Sequence, residues 1–566
     1  LMTTLVQSET TLRNLAMNLD HYVASPGIGE LEGALAGRPA VVVSAGPSLE
    51  RNLHELAQPG VRDRVCIIAV QTVLKTMLER GVRPHFVTAL DYHEISRRFY
   101  ESLTPEDVRG VTLIAEPKVN PAVLEAFPGA VRVVGDGVLD ELLGEGVRAE
   151  LGVRRPTLAA GATVAHMAYR VARWMGCDPV VLIGQDLGFT DGQYYSAGAA
   201  IHSVWAGEFS EFNTPEMMEW QRIARFGPML RRATDVLGRP ILTDEQMTTY
   251  LVMFERMFGE DAQRGLTTID ATEGGVRKQH TRAMRLREAL EEYAAFEVVR
   301  VPPTPARTRL AREPLRATRA RTADVLAGTR RIATHARDAE AALSRMLEVH
   351  EDQREVNRLI ERVYSLRDKV EREPAPWRLV QFINQAGAFK RFRADRAIEL
   401  APGDDDLARQ RKQIERDLVN VRWTAEAADR VADILQRTAA ALDGGEKVFR
   451  DVAAATDGAD GAGAGGANGA GKGNADKGNA SVVVGTSARR RVAAVIIVDP
   501  RTGGMDTARD LSAPIVDGKT ALRLTLERLA RCAGLDEIVL AGDDEQVVRR
   551  LAGPTGAPGS AGAGSV

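Results

Sequence analysis

Residues 40–43, Ala-Val-Val-Val, form an apolar run with no polar alternation, and the run breaks at once into Ala45-Gly46-Pro47-Ser48. A second run, Val180-Val181-Leu182-Ile183, breaks into Gly184-Gln185-Asp186. A strand without alternation is buried on both faces, which is the condition of a parallel sheet covered by helices. Glycine at the carboxyl end of such a strand lets the chain turn outward, and in open α/β sheets that end is where ligands bind. The two breaks therefore predict two strand-to-turn units on the ligand side of one sheet.

Between residues 38 and 185 similar runs alternate with helical ones: AVVVSA, a helix from about Leu49, VCIIAV, the helix TVLKTMLERG, HFVTALD, VTLIAE, VRVVG and PVVLIGQD. Alternation of this kind predicts a parallel sheet with crossover helices. In TVAHMAYRVARWM (163–175), Val164, Met167, Ala168, Val171 and Met175 share one helical face, which packs on the sheet. Beyond residue 307 the period changes. Val349, Val356, Val363 and Val370 recur every seven residues with Leu359 and Leu366 beside them, and Leu407, Ile414, Val421, Ala428, Leu435 and Leu442 repeat the step. Breaks at 373–377 (EPAPW) and 401–406 (APGDDD) divide the long helices. Residues 456–480 are Gly/Ala/Asn/Asp repeats that bury too little apolar surface to fold. RVAAVIIVDPRTGG (491–504) and KTALRLTLERLARCAGLDEIVLAG (519–542) then make about one strand-helix-strand unit, marginal on its own.

The expected class is thus α/β, with a Rossmann-like, mostly parallel sheet core, then an α-helical module and a partial α/β appendage. The expected limits are an N-terminal helical segment at 1–35, the core at 36–300, a helical bundle or hairpin at 301–455, a flexible linker at 456–488, the partial unit at 489–552 and a disordered tail at 553–566.

A length of 566 residues accommodates three or four domains of roughly 150 residues. A formal charge of −3 gives no global pull toward nucleic acid or membrane. Cys66, Cys177 and Cys532 are far apart and without metal-ligand spacing, as expected of reduced buried thiols. The first twenty residues carry neither a signal-peptide pattern nor a membrane-spanning run, so a cytoplasmic protein is expected. Leu at position 1 and a trailing Gly/Ala/Pro-rich end read either as a fragment or as an oddly called reading frame. The aromatic and Met-rich stretch 190–265 reads either as a lid over the sheet edge or as a small core under long loops. The arginines of 307–321 read as a solvated helical face ahead of a site for an acidic partner, since no aromatics interleave for base stacking.

Four places carry candidate chemistry. In Gly46-Pro47-Ser48 glycine permits close backbone approach and Ser48 with the following amides offers donors to a phosphate or carboxylate; the plainer alternative is an N-cap. Asp91 ends the strand HFVTALD and serves either a ribose, a base edge or an ion in the cleft, or a turn. Gly161-Ala162-Thr163 opens a helix as a second anion-receptive terminus beside Gly184-Gln185-Asp186, where Asp186 accepts from substrate hydroxyls or caps a helix, and Tyr194 and Tyr195 are phenol donors. In IDATEGGVRKQH (269–280), Glu273 or His280 is a candidate general base, with backbone capping the equal alternative for Glu273.

Taken in order, VVSAGPSLERNL, IIAVQTVLKTMLERGVRPHFVTALDYHE, GATVAHMAYRVARWMGCDPVVLIGQDLGFTDGQYYSAG, ILTD and IDATEGG resemble the core of the motility accessory factor (Maf) family of flagellin glycosyltransferases over about residues 36–295. That family is related to sialyltransferases of Rossmann-like fold. The resemblance implies transfer of a nonulosonic, sialic-acid-like sugar from a CMP-linked donor to Ser or Thr of flagellin or another surface protein. It places Gly46, Pro47 and Ser48 at the nucleotide phosphate or sugar, Asp91, Gly184, Gln185 and Asp186 along the donor cleft, and Tyr194 or Tyr195 at the leaving phosphate. Gly188-Phe189 stands where related sialyltransferases carry an aromatic hydroxyl. Their acceptor-activating histidine has His202 and His280 as its candidates here. No DxD-type motif follows a strand, so the resemblance implies metal-independent transfer with no cofactor beyond the donor substrate. The expected partners are that donor and a protein acceptor, with neither nucleic acid nor a membrane span, and the helical module offers a seam for an oligomer.

The GPSLE start also resembles archaeal hydroxymethylpterin diphosphokinases, which implies Mg-ATP-dependent pyrophosphoryl transfer; ALDYHE stands where those enzymes have a DLDG-like acidic cluster. Residues 491–542 look like the degraded start of a sugar-nucleotide cytidylyltransferase, with RTGGMDTARDLSAP in place of the Arg- and Lys-bearing loop. A non-catalytic adaptor for surface assembly is the third reading.

Overall fold

Each of the six apolar runs is a strand: β1 Ala40–Val43, β2 Cys66–Val70, β3 Phe86–Ala89, β4 Thr112–Ala115, β5 Ala130–Val133 and β6 Val180–Ile183. The structure is a computed structural model. It describes residues 7–151, 155–159, 161–196, 198–199, 201–210, 213–225, 227–294, 298–305, 312–400, 405–457, 493–497 and 537–541. An antiparallel hairpin follows, β7 Arg231–Thr234 with β8 Pro240–Thr243, and then β9 Thr268–Asp270 and β10 Arg282–Ala283. The main sheet has the order β10-β9-β6-β1-β2-β3-β4-β5, and every neighbouring pair in it is parallel. Val41 sits beside Ile67 on one side and Val181 on the other. The mostly parallel α/β core expected from the sequence is borne out.

Both faces of the sheet are covered. On one, the helix Val164–Trp174 turns Ala165, Met167, Ala168, Val171 and Ala172 into a core shared with β1, β2 and β6. On the other, Val87, Leu113 and Val131 meet Leu12, Leu15 and Leu19 of the N-terminal helices together with residues of the C-terminal helical module such as Ile332, Val380 and Val431. Each such side chain contributes on the order of 1.5–3 kcal/mol of burial. Numbered in chain order, the helices are α1 Ser8–Met17, α2 Leu19–Ala24, α3 Leu74–Glu79, α4 Pro121–Ala126, α5 Gly137–Leu151, α6 Val164–Trp174, α7 His202–Trp205, α8 Pro215–Arg225, α9 Glu245–Gln263, α10 Leu286–Tyr293, α11 Arg312–Glu348, α12 Gln353–Glu371, α13 Pro374–Ile383, α14 Gln385–Glu399 and α15 Asp406–Asp457.

The module after residue 312 runs antiparallel along its longest helices. Arg330 of α11 reaches Gln436 of α15 at 3.0 Å, while Arg422 of α15 reaches back to Glu340 at 2.7 Å. The heptad positions Val356, Leu359, Leu366, Val370, Ile414, Ala428, Leu435 and Leu442 are buried, whereas Leu407 at the start of α15 is exposed. Pro374 begins α13, so the expected break at 373–377 is a helix start. Within the arginine-rich stretch, Arg321 donates to the Leu142 carbonyl at 3.1 Å and Arg319 to that of Leu442 at 2.5 Å, which makes these two parts of the packing rather than a solvated face.

The helix expected from Leu49 is absent. Two 3-10 turns, Pro47–Arg51 and Leu53–Ala57, stand there, and Asn52 between them has an extended φ of −139° while its side-chain amide donates to the Ala271 carbonyl. That tertiary tie holds the backbone out of an α-helix. Within 190–265, Ile223 and Met247 form a small cluster with the preceding Phe189, joined by Tyr194 and Leu230, while Met217 and Trp220 remain exposed.

Two compact units divide the chain, Leu1–Asp460 and Gly461–Val566. In the second, β11 Ala493–Ile497 and β12 Glu537–Ala541 pair in parallel with Val495 beside Val539. The expected linker repeats, the tail, the loop 501–514 and Cys532 lie outside the described residues. Cys66 and Cys177 are free and buried, and burial pushes the Cys66 thiol up. Among the described residues no helix is long and apolar enough to cross a membrane.

Candidate functional site

From β1 the chain moves outward strand by strand to β5, then returns to lay β6 against the other side of β1 and continues to β9 and β10. The order therefore reverses between β1 and β6, and a crevice opens at the carboxyl ends of strands flanking such a reversal. The two turns that follow these strands are Ser44–Ser48 and Gly184–Asp186. They are bound to each other: the Gly46 amide donates to the Gly184 carbonyl at 2.7 Å, and Ser44 Oγ donates to Gln185 Oε1 at 2.7 Å. A Cβ on Gly46 would lie 1.9 Å from Asp186 Oδ2, and one on Gly184, whose φ is +63°, would lie 2.3 Å from the Ser44 carbonyl oxygen. Only glycine fits either position.

Asp186 is the knot of this arrangement. Ser48 donates to it from both Oγ (2.7 Å) and its backbone amide (3.3 Å), and Thr190 Oγ1 donates from the next turn. The Val276 amide takes up the Asp186 carbonyl at 2.7 Å and the Gly275 amide donates to Thr190 Oγ1 at 3.0 Å, which brings the 273–276 loop against the same carboxylate. Burial raises the Asp186 carboxyl above its ordinary value; the Thr190 and Ser48 donors and the Lys278 charge oppose that shift without cancelling it. Ser48 is fully buried. The Ser48 hydroxyl and the Asp186 carboxylate thus satisfy one another and hold three loops together, while Lys278 and Asp270 form a fully buried ion pair at 3.0 Å beneath them.

Farther along the carboxyl edge, Asp91 follows β3. Its Oδ2 accepts from the Gln71 amide and from Ser96 Oγ at 3.3 Å, and Tyr100 donates to Gln71 Oε1 at 3.2 Å. Burial raises Asp91 despite those two donors. Its Oδ1 has no partner among the described residues. Across from it stands the N-terminus of α6. Thr163 Oγ1 accepts from the His166 amide at 3.3 Å and lies 2.7 Å from His166 Nδ1, while His166 Nε2 is 3.2 Å from the Tyr250 carbonyl. A carbonyl only accepts, so Nε2 carries the proton and Thr163 donates to Nδ1. Burial holds His166 down to about 4, so it is neutral. It stacks on Phe254 at 3.8 Å. With the Thr163 side chain committed, what α6 offers a ligand is its first amides, beside the half-exposed Gly161.

The described residues of 189–202 form a flap that reaches back to the β1 and β2 ends. The Ser196 amide donates to the Ala45 carbonyl at 2.9 Å and Thr76 Oγ1 to that of Gly198 at 2.8 Å. The Ser196 hydroxyl is buried with no partner among the described residues. Tyr194 and Tyr195 pack ring on ring at 4.6 Å. His202 ends the flap with Nε2 2.8 Å from Glu219 Oε1 of α8, and Glu219 Oε2 accepts the Tyr194 amide at 2.8 Å. Glu219 is 2% exposed.

Glu273, at φ +54°, accepts from Asn52 and from the Leu286 amide, both at 3.1 Å, and so anchors the start of α10. His280 is exposed on the β9–β10 connection against Gly259 of α9 and makes no hydrogen bond to the crevice turns among the described residues. The structure brings Gly46, Pro47, Ser48, Gly184, Gln185 and Asp186 into one knot. Asp91, Gly161 and Thr163 line the same edge, and Tyr194, Tyr195 and His202 belong to the flap; Glu273 sits in the loop against Asp186 with its carboxylate committed to Asn52 and Leu286, and His280 stands apart. Glu219 and Ser196 were missed in the sequence, where a lone Glu in PEMMEWQR and a Ser after two tyrosines carry no signal of their own. Among the described residues no three His, Cys, Asp or Glu side chains converge as a metal-holding group.

Residues 13–192 match the family model described as 6-hydroxymethylpterin diphosphokinase MptE-like. The MptE-like character read from the sequence is borne out for this stretch, which contains every strand from β1 to β6 and both crevice turns. A solved structure described as a MAf glycosyltransferase from Magnetospirillum magneticum AMB-1 is similar at 17% identity with a TM-score of 0.42, over 77% of this chain. The chain spans 62% of that protein's length. No curated protein matches it in sequence.

Proposed function

We propose that the crevice between the β1 and β6 turns is the donor site of a glycosyltransferase, and that the chain moves a nonulosonic sugar from a CMP-linked donor to a Ser or Thr hydroxyl of flagellin or another surface protein. The observation that carries this reading is the His202–Glu219 pair on the flap, 2.8 Å apart. Transfer to a hydroxyl needs a group to receive its proton, and a histidine oriented by a buried carboxylate is that group. With Nε2–H held by Glu219, the imidazole accepts through Nδ1, and Glu219 steadies the imidazolium that results.

In the proposed step the acceptor oxygen bonds to the anomeric carbon as the carbon–oxygen bond to the phosphate breaks, the proton passes to His202 and CMP leaves. The developing phosphate charge is met by the α6 amides and by the buried Ser196 hydroxyl, with Tyr194 or Tyr195 beside it. Asp91 Oδ1 is left for a ribose hydroxyl. Ser48 and Asp186 act as the frame of the site.

The family match over 13–192 favours a second reading, pyrophosphoryl transfer from Mg-ATP to a hydroxymethylpterin, in which Asp91 faces the metal. Thermal shifts separate the two, because a ligand stabilises the state it binds. The glycosyltransferase reading expects CMP to raise the unfolding midpoint, with the shift reduced by Asp91→Asn. It is lost if no cytidine nucleotide binds while Mg-ATP with hydroxymethylpterin yields AMP.

A further inference from the structure

The edge of the sheet opposite the crevice holds a cavity of about 550 Å³ at the amino ends of β3 to β5, where His85 precedes β3, Thr112 opens β4 and Ala130 opens β5. That volume is in the range of small-molecule sites. One wall is apolar, built by Val108, Val111, Val299, Val301 and Pro302. The 298–305 segment is strapped over it by the Val299 amide on the Asp63 carbonyl at 2.7 Å and by Arg132, a fully buried residue of β5 that donates to Thr304 Oγ1 at 3.0 Å and to the Pro303 carbonyl at 3.1 Å.

Two polar groups distinguish this cavity from a packing defect. His85 is 8% exposed, and its Nδ1 accepts from the Ile67 amide at 3.0 Å. The proton therefore sits on Nε2, which has no partner among the described residues and belongs to a side chain lining the cavity. Burial, with Arg62 nearby, holds His85 down to about 3, so this donor is neutral throughout the physiological range. Arg62 is fixed by donating Nε to the Arg83 carbonyl at 2.9 Å and Nη2 to that of Gly110 at 3.1 Å, and neither acceptor neutralises it. Arg109 adds a second cation, paired with Glu106, and Asp63 is the acidic residue of the lining.

We propose that this cavity binds a small organic anion, an aromatic or branched-chain carboxylate whose oxygens take the His85 Nε2 proton and face Arg62 while its body lies on the valine and proline wall. A donor beside a fixed cation selects the carboxylate, and the apolar wall selects the body over an inorganic ion. The site is separate from the crevice and independent of the reaction assigned there.

Saturation-transfer NMR on the full chain with benzoate tests it, with inorganic phosphate as the anion that lacks a body. Benzoate is expected to bind, at least fivefold more weakly to Arg62→Gln and not at all to Val301→Trp, which fills the cavity. Asp186→Asn, in the crevice, should bind it as the parent does. Transfer that is undiminished in Arg62→Gln, or absent from the parent chain at millimolar benzoate, overturns the proposal, as does phosphate displacing benzoate at equal concentration. If Val301→Trp does not fold, Arg62→Gln decides alone.

Discussion

At the scale of the residue, Asp186 and His166 show how the site's polar groups are bound into the frame. Asp186→Ala leaves Ser48 Oγ, the Ser48 amide and Thr190 Oγ1 without an acceptor in a buried place, which costs about 2–4 kcal/mol. Asp186→Asn keeps an oxygen for the amide and Thr190 and offers a donor to Ser48, so urea midpoints should separate the two variants clearly. The titration signs are opposite. Burial raises the Asp186 carboxyl, so the stability it contributes is present below the ordinary carboxylate range and is lost as pH rises through the folded value. His166 is lowered from 6.5 to about 4, so the unfolded chain takes up a proton that the folded chain refuses across that window. Stability therefore falls as pH drops from 6.5 to 4, by about 3 kcal/mol at about 1.4 kcal/mol per unit. Thermal midpoints from pH 7.5 to 4.5 should decline less steeply in His166→Gln.

At the scale of the element, packing decides which substitutions matter. Leu435, buried at 1% exposure in the core between α15 and the sheet-side helices, should lose about 2–5 kcal/mol as Leu435→Ala, whereas the exposed Leu407→Ala, on the same heptad register, should stay within about 0.5 kcal/mol. Chemical denaturation of the two variants reads the difference. The same contrast explains what could be read from the sequence. Strands β1 to β6 stood out because each is a short apolar run between breaks, and α6 because its small and apolar residues share a face. The strand β9 is Thr-Ile-Asp and β10 is Arg-Ala, too short and polar to carry a period; β9 is a strand because β6 offers an edge, and β10 because β9 then does. The Leu49 helix failed because the Asn52 tie to Ala271 is 219 residues away in sequence. The crevice turns were legible as glycines after strands, but that Ser48 would face Asp186 instead of solvent depends on the β1–β6 pairing. His202 was legible only as a candidate; its partner Glu219 lies on another helix.

At the scale of the molecule, the reversal of strand order between β1 and β6 gathers the turns, the α6 terminus and the flap on one edge, while the opposite edge keeps the His85 cavity. In the proposed reaction this edge transfers a sugar, with His202 receiving the acceptor proton. Single-turnover transfer from a CMP-linked nonulosonate to unglycosylated flagellin, by the parent chain and by His202→Gln, tests this. CMP release and glycosylated flagellin are expected from the parent, and a rate lowered at least about 100-fold in His202→Gln with CMP affinity within about twofold. Equal rates in the two chains, or no CMP release by either, contradict it.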